Sequence, residues 1–298
     1  MIALCDLNLL PAFTVIGLTL GGLYALSGIG LVLIYRVSGV LNFAQGAVAM
    51  VSAFVAYEAA VVRGLPTWVG LGAGIAAGAA LGYVMERFTI RPLAGRPAAV
   101  KVAVTIGWLL ILQTVAGLVW GFTSFHRAVE VVSRSGTTFP GTSVVVGYDQ
   151  MTIIGVSVVL AFGIAALLRW TPLGVSMRAV SDDPATARLW GITVNRVTAA
   201  SWMLGSAMAG LAGVLITPMI DFNPFSLTVI VIDAFAAALI GRLVSLPWTV
   251  LGAALLGLVQ TYPRACSSNA GMGEVATFGL ILAALLVLRP GTRAVRAA

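Results

Sequence analysis

Nine apolar stretches separated by short connectors constrain this chain more than any other feature. They cover about residues 9–34, 40–62, 68–85, 102–120, 151–168, 199–220, 227–240, 248–262 and 275–288. An α-helix needs roughly 20 mostly apolar residues to cross the hydrocarbon of a bilayer. The bilayer admits little besides helices and closed barrels, because every backbone N–H and C=O must find a partner within the protein. The last three stretches are short for full spans. Composition closes the soluble alternative: Asp, Glu, Lys and Arg make up 9% of the chain, against about 25% in soluble domains. The reading is an all-α polytopic membrane protein with eight to nine transmembrane helices, some short or discontinuous, in a single domain over 1–298. No connector is long enough to house a separate soluble domain.

Lysine and arginine give the orientation, since cytoplasmic loops carry their excess. With nine spans, one set of alternate connectors holds Arg36; Arg87, Arg91, Arg96 and Lys101; Arg169, Arg178, Arg188 and Arg196; Arg242; and Arg289, Arg293 and Arg296. The other set holds Arg63, Arg127, Arg134 and Arg264. This thirteen-to-four split of the 17 basic residues places the N-terminus outside and the C-terminus in the cytoplasm. The net charge of +7 then belongs to loops facing anionic headgroups, and no nucleic-acid partner is implied.

Several chemistries are excluded. The one lysine, Lys101, lies in Val-Lys-Val and no GxxxxGK[ST] occurs, so the chain has no P-loop with which to hydrolyse ATP. A single histidine, His126, cannot build a multi-histidine metal site, and its Ser124-Phe125-His126-Arg127 setting reads as a solvated connector. Cys5 and Cys266 stand far apart without a CxxC, which argues against a disulfide framework or a structural zinc site. Residues 1–6 carry no Lys or Arg, so the basic start of a signal peptide is missing. Neither a GxSxG nor a pair of carboxylates at catalytic spacing inside a span is found. An enzyme is disfavoured.

The spacing of small residues predicts packing. Gly70, Gly74, Gly78 and Gly82 form one bare stripe, and Gly205, Ala209 and Gly213 form another. In lipid, such stripes let helix backbones approach closely. Polar residues in apolar stretches are costly, and so they are candidates for a solute path. Asn42, Phe43 and Gln45 lie near the start of the second stretch, between Gly39 and Gly46, where a helix break would turn backbone groups toward a path. The same amides serve equally well as hydrogen-bonding glue between helices. Asp221 and Asn223 flank the seventh stretch and Asp233 enters it, at an insertion cost of roughly 2.5–3.5 kcal/mol. Asp233 is expected to line a pore or to pair, with Arg242 or with a second subunit.

Two connectors stand out. Residues 169–196 hold four Arg and two Asp. Within them Ser181-Asp182-Asp183-Pro184 predicts a helix start, with Asp as cap and Pro in the first helical position, and Gly191 predicts its stop. Residues 121–150 form the longest connector on the other side. There Arg127 and Arg134 are balanced by Glu130 and Asp149, as suits a transient polar contact.

Two runs are more specific. The first comprises Gly21-Gly22-Leu23-Tyr24-Ala25-Leu26, Tyr35-Arg36 and Gly39-Val40-Leu41-Asn42-Phe43-Ala44-Gln45-Gly46. The second comprises Gly174-Val175-Ser176-Met177-Arg178-Ala179, Asp182-Asp183, Ala187, Gly191-Ile192 and the small-residue run 205–215. Their order and spacing resemble the permease subunits of branched-chain amino acid ABC importers, the LivH type. The likeness extends through Glu86-Arg87 with Arg91-Pro92, Asn223-Pro224 and Leu288-Arg289-Pro290-Gly291, and covers nearly the whole chain. The resemblance implies a bacterial inner-membrane permease without a cofactor of its own, for branched-chain amino acids or similar small polar solutes such as amides and urea. It implies a pore shared with a second, LivM-like permease, two ATP-binding subunits on the cytoplasmic face and an extracytoplasmic solute-binding protein. Residues 169–196 then form the ATPase-coupling loop, with Arg178, Asp182, Asp183, Ala187, Arg188 and Gly191 as contacts. Ala187 and Gly191 match the Ala-x-x-x-Gly core of such loops, while Ala185 and Thr186 replace the leading Glu-Ala of many importers. The connector 121–150 would help dock the binding protein. The chain departs from the family where Gln45 replaces a usual His, Asp233 a common Lys, and Gly241-Arg242 a Gly-Gly. The rival from another class is an ion-coupled secondary transporter, with Asp221 and Asp233 as its coupling sites.

Overall fold

The computed structural model describes residues 10–126, 135–138, 145–266 and 271–287. These residues form helices α1 (Leu10–Ser38), α2 (Gln45–Tyr57), α3 (Thr67–Met85), α4 (Ala98–Trp120), α5 (Tyr148–Trp170), α6 (Pro172–Asp182), α7 (Pro184–Leu189), α8 (Val194–Ile216), α9 (Ser226–Ile240), α10 (Leu246–Cys266) and α11 (Met272–Val287). Each apolar stretch is a helix, and α6 and α7 form a pair inside the 169–196 connector. Six helical segments are long and apolar enough to cross a membrane: α1, α2 extended to Val62, α3 extended to Ile90, α4, α5 and α8. Shorter apolar segments are Val231–Ile240 in α9 and Met272–Ala284 in α11. Helices α2 and α3 continue into π turns, Glu58–Val62 and Glu86–Ile90.

Two boundaries differ instructively from the apolar pattern. Helix α2 begins at Gln45 rather than at 40, so the break near Gly39 is real, but Gly46 lies inside the helix. Helix α8 begins at Val194, where buried Val197 alternates with exposed Asn195 and Arg196. That first turn is amphipathic, and an apolar-run criterion passes over it. The helix ends at Ile216, ahead of Pro218, whose ring and missing N–H would interrupt the ladder.

Small residues set the packing order. About three quarters of the central parts of α1 and α8 are buried (72% and 78%), against 22% in α4 and α5, so α1 and α8 form the inner layer. A Cβ placed on Gly82 would lie 2.4 Å from the Trp202 carbonyl oxygen, and one on Gly205 would lie 2.5 Å from that of Gly30. One on Gly213 would lie 2.2 Å from the Ala49 carbonyl oxygen, and one on Gly257 2.1 Å from that of Gly17. Both predicted stripes are thus contact lines: α3 lies on α2 and α8, and α8 lies on α1 and α2. Leu26, Ile29, Val32, Phe54 and Trp202 fill the core between them.

The 121–150 connector adds a small ribbon to the helical architecture, β1 (Gly136–Thr138) antiparallel to β2 (Val145–Gly147). Cys5, Arg127, Glu130, Arg134, Arg293, Arg296 and the Leu288-Arg289-Pro290-Gly291 run lie outside the described residues.

Candidate functional site

The 169–196 connector folds as two capped helices. Thr171 caps α6 by accepting from the Gly174 N–H at 3.1 Å, with Pro172 in the first position. Asp183 caps α7, accepting from the Ala185 N–H at 2.9 Å and from the Thr186 hydroxyl, with Pro184 in the first position. These bonds stabilise the charged form and hold the Asp183 carboxyl below the usual carboxylate range. Helix α7 closes in a Schellman turn: the Gly191 N–H donates to the Arg188 carbonyl and the Ile192 N–H to the Ala187 carbonyl, both at 3.0 Å. Gly191 has φ +80°, the left-handed position for which glycine has no Cβ penalty. Ala187 is buried beneath this turn, while Leu189 and Trp190 are 88% and 83% exposed. Arg178, Asp182 and Arg188 are exposed on the same pair. Helix α6 is additional to the expected helix, and its signal in the sequence is Thr171-Pro172.

A buried ion pair ties this region to the bundle. Glu86 is 1% exposed and receives Arg91 in a fork, Nε to Oε1 at 3.1 Å and Nη2 to Oε2 at 2.8 Å. The π turn makes the fork possible, since the Arg91 N–H reaches back five residues to the Glu86 carbonyl. Arg91 also donates to the Asn195 carbonyl at 3.3 Å, in the first turn of α8. Trp108 of α4 donates to Thr89 at 3.2 Å. The foot of α3 is therefore fastened to α4 and α8 just beyond Gly191.

The residues expected along a path occupy three places. Asn42 and Gln45 are fully buried. Asn42 accepts from the Ala44 N–H at 3.1 Å and donates to Gln45 at 3.0 Å, and Gln45 donates to the Gly205 carbonyl at 2.9 Å. Together they fasten the first turn of α2 to α8. The half-buried Phe43 ring stacks on Phe235 of α9, with centroids 4.9 Å apart. Asn223 opens α9 by accepting from the Phe225 and Ser226 N–H groups at 2.9 Å each, and Asp221 lies exposed just before it. Gly46, Ser27, Ala49, Gly213 and Val231 line a small apolar cavity between α1, α2, α8 and α9.

Asp233 lies beside the side chains of Tyr24 on α1 and Gln260 on α10, and the Tyr24 hydroxyl donates to Gln260 at 2.5 Å. This corrects the expected pairing with Arg242. Nine residues of helix advance about 13 Å, which carries Arg242 past the end of α9 to an exposed turn. Among the described residues the ion pairs are Arg63–Glu58 at 3.5 Å and Arg91–Glu86 at 2.8 Å.

His126 is a second correction. Its backbone bridges Phe222 in both directions, at 3.0 and 2.9 Å. Its ring packs edge-on against Phe54 and Tyr57, with centroids 5.4 and 5.0 Å apart. The solvated-connector reading missed it because the aromatic partners come from distant segments.

Residues 13–289 match the family described as the permease component of the branched-chain amino acid transport system. The chain is 30% identical to the BraD branched-chain amino acid permease of Pseudomonas aeruginosa, over 91% of each chain. It is 30% identical to LivH of Escherichia coli K12, over 92% of each, and 28% identical to a probable LivH of Methanocaldococcus jannaschii, over 89% of this chain and 86% of that one. In fold it is similar to a chain described as a metal-chelate type ABC transporter in an inward-facing conformation. That similarity has a TM-score of 0.50 and 16% identity, and covers 95% of this chain and 89% of that one.

Proposed function

The chain belongs to the branched-chain amino acid transport permease family, and from that membership we propose that it is the membrane-spanning subunit of an ABC importer. The solutes are branched-chain amino acids or similar small polar molecules, and separate ATPase subunits supply the energy. The match across residues 13–289 carries the reading. In the assembly a second, LivM-like permease completes the pore in the bacterial inner membrane. All nine apolar helices cross or enter that membrane, with the N-terminus outside, and a solute-binding protein docks outside on the 121–150 connector.

The mechanism is mechanical, with no covalent step. Closure of the ATPases presses on α6 and α7, whose caps make them short rigid levers. The Glu86–Arg91–Asn195 link passes that motion to α3 and α8, and the inner layer moves with them. Phe43 stacked on Phe235 narrows the passage between the start of α2 and α9.

Reconstitution with the two ATPases and the second permease tests the reading. Leucine-loaded binding protein should stimulate ATP hydrolysis several-fold and drive uptake of labelled leucine. Cysteines at Ala185 and Arg188 should crosslink to the ATPase and react only with reagent on the cytoplasmic side. Uptake that follows an ion gradient without ATPase would instead identify a secondary transporter working through Asp221 and Asp233.

A further inference from the structure

Helix α9 ends in the same Schellman geometry as α7, but with an arginine in the glycine position. The Arg242 N–H donates to the Leu239 carbonyl and the Leu243 N–H to the Ala238 carbonyl, both at 2.8 Å. Arg242 and Leu243 have φ +54° and +57°, a backbone region disfavoured for any residue with a Cβ. Among the described residues they are the only non-glycine positions of this kind. The turn is held from both sides, since the Val244 and Ser245 N–H groups donate to the Gly241 carbonyl and Thr249 of α10 donates to Ser245. None of these bonds needs the arginine side chain, and glycine would make the turn with less strain. The bonds of the turn therefore do not account for the arginine side chain.

It borders a groove of about 1190 Å³ that also involves Tyr35 of α1, Leu239 of α9, Ser245, Trp248 of α10 and Ile281 of α11. Pockets for single small ligands run to roughly 300–1000 Å³, so one amino acid would leave this groove unfilled. The lining is mostly apolar and comes from α1, α9, α10, α11 and the turn 241–245 that joins α9 to α10. Arg242 and Ser245 lie in that turn, with Tyr35 and Trp248 near the adjoining ends of α1 and α10. Arg242 is exposed and is in neither ion pair of the described residues. We propose that this groove binds an anionic phospholipid, with its phosphate on Arg242 and an acyl chain along α9 and α11. Basic pockets between membrane helices suit such headgroups, and aromatic side chains settle at the same depth. On the orientation proposed above the headgroup lies in the cytoplasmic leaflet; the leaflet, though not the site itself, rests on that reading.

The full chain, purified in detergent with its accompanying subunits, is exposed to equimolar phosphatidylglycerol and phosphatidylcholine, and retained lipid is read by native mass spectrometry. Phosphatidylglycerol should be retained several-fold over phosphatidylcholine. Arg242→Gln should lose most of that preference, whereas Arg87→Gln, at an exposed arginine outside the groove, should keep it. Arg242→Gly removes the backbone strain with the charge; it should lose the lipid preference with Tm unchanged or raised, which separates a lost headgroup contact from misfolding. Equal preference in wild type and both Arg242 variants overturns the proposal. So does an Arg242→Gln variant that keeps the lipid but shifts the KM for solute, because the groove would then belong to the solute path. Lipid retention requires no transport, so its failure leaves the importer reading intact.

Discussion

A carboxylate inside a membrane-spanning stretch is expensive when it is alone and tolerable when its oxygens are occupied. Asp233 shows how far a sequence discloses this. The cost was legible from one acidic residue amid Val, Ile, Ala and Phe, but its partners were not. Tyr24 and Gln260 stand on α1 and α10, in segments whose own apolar patterns gave no reason to join them to α9. The obvious candidate, Arg242, was close in sequence and wrong in space. Asp233→Asn preserves shape beside Tyr24 and Gln260 while losing the charge. The complex should therefore assemble and keep its Tm, and uptake rate or solute preference in proteoliposomes should change several-fold. Asp233→Leu puts an apolar side chain beside the buried Tyr24 hydroxyl and the half-buried Gln260 amide, and should lower stability by about 1–3 kcal/mol. If Asp233→Asn alters neither assembly nor transport, the charge has no part in the path.

Among the elements, α7 was readable and α6 was not, for a physical reason. Asp183-Pro184 and Gly191 punctuate α7 at both ends. Thr171-Pro172 announces α6 equally well, but its buried Gly174, Met177 and Val180 form a thin apolar stripe inside a charged connector. The capping carboxylate gives α7 a definite pH response. Asp183 titrates lower in the folded protein than in the unfolded chain, so its stabilisation is fully present above the ordinary carboxylate range. It is lost as pH falls through the lowered value. Corrected for the intrinsic slowing of amide exchange in acid, the protection factors at Thr186–Gly191 should fall on acidification in the wild type. Asp183→Ala should exchange fast at neutral pH and weaken the stimulation of ATP hydrolysis by the loaded binding protein. Asp183→Asn, also a good cap, should stay protected at both pH values. A wild-type α7 whose protection factors ignore acidification would show that the cap does not hold it.

At the scale of the whole molecule, the sequence disclosed that helices would weld through glycines but not which helix would meet which. Hydropathy and four-residue spacing are properties of a line, whereas the pairing of α3 with α8 depends on how the chain returns across the membrane. The weld can be tested within α3 alone. A Cβ on Gly72 meets nothing within 4 Å, whereas one on Gly82 would fall 2.4 Å from the Trp202 carbonyl and 2.6 Å from the Ser206 hydroxyl. Backbone cannot rotate aside as a side chain can, so Gly82→Ala has to push α3 away from α8. Overpacking of this kind costs about 1–3 kcal/mol, and Tm should fall accordingly. Gly72→Ala should leave Tm unchanged or raise it slightly, because alanine favours helix by up to about 1 kcal/mol. Gly82 lies one turn from Glu86, so the same displacement strains the link from Arg91 to Asn195. Gly82→Ala should therefore also lower the solute carried per ATP hydrolysed, while Gly72→Ala leaves that ratio alone. If both variants lose stability equally, α3 is not welded through this stripe. If Gly82→Ala is destabilised with an unchanged transport ratio, the weld holds the fold but the foot of α3 carries no motion.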